Sequence, residues 1–315
     1  MLDQTKLPQK VSYRQIRNHY ELLRAIRGLQ IRGAPLIGVA SAYGVALEAV
    51  RIKKDLKRRL LSVINDLRKA RPTAFNPFFI LKRMEEILKL ELPEEELRLR
   101  LLEEAAKIEK EEREKCEKIG THGAQLLKDG AKVLTICNTG FLATPGIGTA
   151  LGIIYKAKEE GKRIKVFVCE TRPLLQGARL TTWELQKRGV ETFLITDGMV
   201  GKVMGDIDIV LTGADRIARN YDFANKVGTL TLAICASYYK KPFYCAAPTS
   251  TIDLSLQDGS EIAIEERGEE EVLTCLGRRI APKGIKVLNP SFDITPHQLL
   301  TGLITEEGII KLARR

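Results

Sequence analysis

Apolar residues in roughly the first 130 positions recur every three or four residues, the spacing of a helix with one buried stripe. The spacing predicts helices over residues 12–29, 36–50, 56–69, 77–89 and 93–127, and so a helical N-terminal domain over residues 1–128. In the last of them the run from Glu103 to Lys118 is almost wholly charged, which reads as a solvated face laced by i to i+4 ion pairs. The basic run from Arg51 to Arg59 reads as an exposed helix face rather than a nucleic-acid surface. From Ala131 the texture changes. Short β-like runs at 133–137, 164–169, 192–196, 207–212, 243–246 and 286–288 are separated by helical patterns at 149–160, 177–188, 224–239 and 298–303. Such alternation implies an α/β fold over residues 129–315, an open and mostly parallel sheet with helices on both faces. Ligands on such sheets bind beyond the C-terminal ends of the strands, so the informative residues should follow strands.

They do. Behind the first predicted strand stand Cys137 and a small-residue loop, Asn138-Thr139-Gly140 and then Thr144-Pro145-Gly146, before the spacing turns helical near Thr149. Strand, glycine-rich loop and helix in that order predict an anion cradle, because free backbone N–H groups and the helix dipole both face the loop. A thiol in that setting is an activated one, whereas Cys169, Cys235, Cys245 and Cys275 sit inside apolar patterns and read as small core residues. The second strand leads into Glu170-Thr171-Arg172, with Gln176 and Arg179 beyond; the fourth leads into Asp215. Asp215 either braces its turn or serves as an acid. Asn225, Lys226, Gly228 and Thr229 predict a second anion site at a helix N-terminus. Arg32 and Arg71, each in a stiff Gly or Pro turn, either lock the fold by ion pairs or face a ligand, and Arg172 and Arg179 pose the same choice. Asp206 and Asp208 read as turn and strand-edge residues.

Composition narrows the ligand. A net charge of +11 favours an acidic partner, and with only 6% aromatic residues there is no stacking platform for nucleic acid, which leaves a small phosphate. Six cysteines without CxxC spacing and three histidines argue against a disulfide framework and against a Cys/His zinc site. No apolar run reaches a membrane span and the N-terminus lacks a signal core, so a cytoplasmic protein without a membrane partner is expected. Gly146, Gly148 and Gly152 with Glu170 mimic a dinucleotide fingerprint, but their spacing is off by a residue and the loop is too long, which argues against a nicotinamide enzyme.

Six stretches in order, RGAPLIGVASAYG (Arg32 to Gly44), RPTAFN (Arg71 to Asn76), CNTGFLAT (Cys137 to Thr144), ETRPLLQGARLT (Glu170 to Thr181), GADRIARNYDFANKVGT (Gly213 to Thr229) and the tail from Ala281 to Gly308, closely resemble the methylthioribose-1-phosphate isomerases. The resemblance implies a Rossmann-like second domain, a homodimer, and conversion of 5-methylthioribose 1-phosphate to its ketose in methionine salvage without metal or organic cofactor. It puts the catalytic cysteine on Cys137 and the proton donor on Asp215. Substrate contacts fall on Arg32, Gly33, Ala34, Arg71, Gln176, Asn225 and Lys226. Relative to the family pattern, Ile136 replaces a usual His, Thr139 an Ala and Tyr221 a Gly, changes expected to reshape the pocket rim; the chain also starts late, without a leading strand. Two alternatives follow from the same resemblance: an isomerase of ribose 1,5-bisphosphate or 5-deoxyribose 1-phosphate, and a regulatory subunit of a translation-initiation nucleotide exchange factor. Full motifs around both Cys137 and Asp215 speak against the second.

Overall fold

The computed structural model describes residues 1–312. The periodic N-terminal half folds into α1 (His19–Arg27), α2 (Ala34–Arg51), α3 (Leu56–Arg68), α4 (Asn76–Leu88) and α5 (Glu94–Ala124); residues 12–18, expected in the first helix, are non-helical, and Tyr13 bridges to Leu2 instead. Leu22, Ile26, Val45, Leu60, Ile64, Leu81, Met84 and Leu101, all from the apolar stripes of these helices, meet in one core. The charged face of α5 is less solvated than its sequence suggests. Arg113 pairs with Glu109 one turn back at 2.8 Å, but Glu112 is buried and Arg83 reaches across from α4 to Glu104 and Glu111.

The second half is built on β1 (Lys132–Thr135), α6 (Ala150–Glu159), β2 (Lys165–Cys169), α7 (Thr182–Lys187), β3 (Glu191–Ile195), a single-turn α8 (Val200–Val203) and β4 (Ile209–Thr212). A π-turn over Gly177–Thr181 leads into α7. Then come β5 (Arg216–Ala218), β6 (Phe223–Lys226), α9 (Thr229–Tyr238), β7 (Phe243–Ala246), β8 (Ile252–Asp253), a one-turn α10 (Glu270–Leu273), the two-residue strands β9 (Thr274–Cys275) and β10 (Arg278–Arg279), β11 (Phe292–Thr295), β12 (Gly302–Thr305) and β13 (Gly308–Lys311). The main sheet runs β13-β12-β7-β4-β1-β2-β3, parallel throughout except for the β12–β13 hairpin. Strand order reverses between β1 and β4, the doubly wound pattern that opens a crevice at the C-terminal ends of those two strands. One face of the sheet is covered by α6 and by the end of α5, through Ile119, Ala124, Ile153 and Ile154; the other is covered by α8 and α9, through Val200, Leu232 and Ala236.

Three sequence expectations give way here. Residues 224–226 are not the start of a helix but part of β6, which with β5, β8 and β11 forms a separate four-stranded sheet. Residues 298–303 form a 3-10 turn entering β12 instead of a helix, and residues 286–288 are not a strand. Each run is too short for its period to separate strand from helix. Cys169 and Cys245 are buried as expected, whereas Cys235 and Cys275 are half-exposed; all six cysteines are free.

Candidate active site

Cys137 follows β1 and Asp215 follows β4, so both lie beyond the ends of neighbouring strands at the point where strand order reverses. Between them opens a pocket walled by both polar and apolar side chains. Arg32, Gly33, Ala34, Arg71, Cys137, Gln176, Asp215, Asn225 and Lys226 all line it. Residues that sequence reasoning did not single out share the wall, among them Leu29, Leu174, Arg267 and Phe292.

Cys137 has a left-handed backbone, φ 60°, which is costly for a side-chain-bearing residue and persists only where neighbours enforce it. They do: its N–H donates to Thr171 Oγ1 at 2.9 Å, and Thr181 Oγ1 donates to its carbonyl at 2.5 Å. The following loop closes on itself through Thr149 N–H to the Thr139 carbonyl, 2.8 Å, and the Gly140–Gly148 bridge. Its free amides do cradle an anion, but that anion belongs to the protein. Phe141 and Leu142 N–H donate to the Glu184 carboxylate at 2.8 and 3.1 Å. The turn before α9 repeats the outcome, since Gly228 and Leu230 N–H donate to Asp293 at 2.7 and 3.1 Å. Burial pushes the Asp293 carboxyl up to about 6 against the pull of those two amides. Two backbone amides at each expected anion site are therefore taken by a carboxylate of the protein, and the cations that line the pocket are side chains.

Arg32 donates from Nη1 and Nη2 to the Asn138 carbonyl at 3.2 and 2.9 Å, and from Nη2 to Asn138 Oδ1. Gly33, with φ 86°, lets the start of α2 press on the cysteine loop: a Cβ there would lie 2.3 Å from the Ala143 carbonyl oxygen. Arg71 Nε lies 3.2 Å from Glu265 Oε2, and its guanidinium stacks 5.8 Å above the Phe292 ring. Lys226 lies over the same ring at 4.6 Å and donates to the Ser291 carbonyl at 2.8 Å. Asn225 donates to Thr229 Oγ1 at 2.9 Å. Gln176 is buried, and its Oε1 has no partner among the described residues. Arg172 and Arg179, by contrast, are fold locks: Arg172 binds the carbonyls of Pro173, Val272 and Thr274, and Arg179 those of Gln4, Leu7 and Leu174.

Asp215 is held by its backbone, its N–H donating to the Ala224 carbonyl at 2.9 Å and its carbonyl accepting from Phe75 N–H at 3.0 Å. Burial raises its carboxyl above the usual range, opposed by Lys226, Arg71 and Arg32 and aided by Glu265. Burial likewise lowers Lys226, opposed by the charges of Cys137 and Asp215. A carboxyl biased toward its acid form, beside a thiol and three buried cations, can donate a proton to an anionic substrate held in a poorly solvated pocket. Of the three departures from the family pattern, Thr139 alone lines the pocket; Ile136 is buried in the core and Tyr221 takes a left-handed turn, φ 71°.

Comparison with known proteins fits this arrangement. Residues 30–312 match the model of the initiation factor 2 subunit family. A methylthioribose-1-phosphate isomerase from Thermotoga neapolitana is 51% identical over 314 residues, which cover 99% of this chain and 92% of the relative. The crystal structure of the 5-methylthioribose 1-phosphate isomerase from Pyrococcus horikoshii is 41% identical, with a TM-score of 0.88 over 99% of this chain and 89% of that one. A structure from A. fulgidus described as the translation initiation factor eIF-2B subunit delta is 46% identical, with a TM-score of 0.85 over 99% of this chain and 93% of that one. The chain belongs to the initiation factor 2 subunit family and, within it, to the methylthioribose-1-phosphate isomerases.

Proposed function

We propose that the pocket converts 5-methylthioribose 1-phosphate to 5-methylthioribulose 1-phosphate, an aldose–ketose isomerisation in methionine salvage. The observation that carries this reading is the meeting of Cys137, Asp215 and the cations Arg32, Arg71 and Lys226 in one buried pocket. The anomeric oxygen of an aldose 1-phosphate is blocked by phosphate, so the ring opens only when an acid protonates the ring oxygen as the C1–O bond breaks. Asp215 supplies that proton, and its burial keeps it available. One hydrogen then moves from C2 to C1. In the proton route the Cys137 thiolate takes H2 and an enolate-like intermediate is reprotonated at C1; in the hydride route H2 moves directly with its electron pair while Cys137 sets the local polarity. Arg32, Arg71, Gln176, Asn225 and Lys226, with the backbone at Gly33 and Ala34, hold the sugar phosphate in register, and no metal or organic cofactor is needed.

A methylthio group rather than a second phosphate suits the cleft that adjoins the pocket at Leu29, Leu174 and Gln176. Leu29, Pro173, Leu174 and Leu276 line that cleft, and two of its arginines are already committed, Arg179 to carbonyls and Arg267 to Glu265 and Glu271. The enzyme is cytoplasmic and a homodimer in this reading. Support comes from the uncovered apolar residues Ile234 and Tyr238 on α9, and light scattering on the purified chain tests the dimer.

Purified protein, without added metal, is expected to turn over methylthioribose 1-phosphate. Cys137→Ala and Asp215→Asn should each lose roughly a hundred- to ten-thousand-fold in kcat with the fold intact. Full activity in either variant would sink the mechanism, and preference for ribose 1,5-bisphosphate would sink the substrate. Deuterium from heavy water at C1 of the product marks the proton route.

A further inference from the structure

Glu184 lies on α7 with no exposed surface, and the pocket wall does not include it. Four donors converge on its carboxylate: Asn138 Nδ2 at 2.7 Å, Phe141 N–H at 2.8 Å, Leu142 N–H at 3.1 Å and the Tyr155 hydroxyl at 3.2 Å. Three of the four come from the loop that follows Cys137. The loop is shaped to the carboxylate, because a Cβ on Gly140 would fall 1.9 Å from Glu184 Oε2. Burying a carboxylate without a paired cation is costly, and a fold that only needed to fill this space would use an apolar side chain. Burial pushes the carboxyl up while its donors, and the Arg32 charge beyond Asn138, pull the other way.

The contacts form a chain with a direction. Because Glu184 takes the Asn138 NH2 group, the Asn138 carbonyl oxygen must face the other way, and there it accepts from Arg32 Nη2. With Nη1 and Nη2 fixed on Asn138, Arg32 Nε has no partner among the described residues. If the Asn138 amide turned over, its NH2 would oppose the guanidinium and swing it off line. Cys137 is anchored outside this chain by Thr171, whose Oγ1 accepts from its N–H; Thr181 Oγ1, which donates to its carbonyl, also accepts from Asn138 Nδ2 at 3.3 Å and so touches the chain.

We propose that Glu184 is a positioning residue of the isomerase: through the Asn138 amide it fixes the direction in which Arg32 presents its guanidinium to the substrate phosphate. The proposal rests on reading the pocket as a sugar-phosphate site. It is tested on the full chain by steady-state kinetics with methylthioribose 1-phosphate and by calorimetric titration with inorganic phosphate. Glu184→Gln should raise KM and the phosphate Kd about tenfold, the effect of one charge-assisted bond, with kcat changed less. The rate of Cys137 alkylation by iodoacetamide should stay as in the wild type. Asn138→Ala, which leaves Glu184 its bonds to Phe141, Leu142 and Tyr155, should show the same split and serves if Glu184→Gln does not fold. In an Arg32→Lys background Glu184→Gln should add little, because both changes break one chain. Equal losses in both backgrounds, or a fall in kcat at unchanged KM, overturn the proposal. A wild type that does not turn over the substrate overturns the functional reading alone. The phosphate titration then decides Glu184: about tenfold weaker binding in the variant supports it, and equal affinity overturns it.

Discussion

Glu184 and Asp293 answer the same structural problem behind two loops, each filling a nest of backbone amides that a free anion could otherwise occupy, yet the two sites differ in depth. Glu184 is sealed from solvent and is tied to a side chain, Asn138, that reaches Arg32. Asp293 is half-buried, caps only the backbone turn before α9, and sits opposite Asn225 in the β6–β11 ladder. The sealed carboxylate can govern a substrate-facing side chain. The half-buried carboxylate can respond to solvent pH. Both cases show that a glycine-rich loop at a helix terminus predicts an anion without saying whose it is.

The sharpest way to break the first cradle is Gly140→Ala, whose Cβ collides with the Glu184 carboxylate; a loss of about 3 kcal/mol or more in unfolding free energy is expected, read by chemical denaturation. The second cradle is best separated from the first by pH. The Asp293 pKa is raised on folding, to about 6, so its contribution to stability is fully present below about pH 4 and is lost as pH rises through 6. Relative to Asp293→Asn, the wild type should therefore lose roughly 2–3 kcal/mol between pH 4 and pH 7, seen as diverging melting temperatures. A constant offset would mean that Asp293 does not titrate in this range. Gly228→Ala asks for less: its φ of 101° is strained for alanine, but the nearest atom to the new Cβ is Ile136 Cδ1 at 3.0 Å, and a cost of about 1–2 kcal/mol is expected by melting. Smallest is Asp293→Ala at pH 7, which removes an N-terminal cap and should cost about 1 kcal/mol.

The helices and the parallel sheet were legible because they are long or regularly spaced. The candidate side chains were legible because polar residues behind apolar strands have few other uses, and all of them line one pocket. Glu184 was hidden. It sits in Trp183-Glu184-Leu185-Gln186-Lys187-Arg188, which reads as an ordinary amphipathic turn; a carboxylate's burial depends on which loop folds over it, a contact forty residues away in sequence. The available signal was Gly140, a glycine with no unusual φ whose missing Cβ marks a close neighbour. Asp293 was hidden because β6 and β11 are four residues each, too short to show strand periodicity, so their pairing was invisible.

The long helix α5 has its own consequence. Its first half, at Leu97, Leu101 and Ile108, is packed among the N-terminal helices, and its last turns, at Ile119 and Ala124, lie on the parallel sheet. One unbroken ladder of i to i−4 bonds is thus shared by two hydrophobic cores, and neither core can come apart without fraying it. Amide hydrogen exchange along α5 should therefore follow one global opening instead of two, so that slow-exchanging protons near Ile108 and Ile119 exchange together. The unfolding of the molecule would then be a single cooperative event.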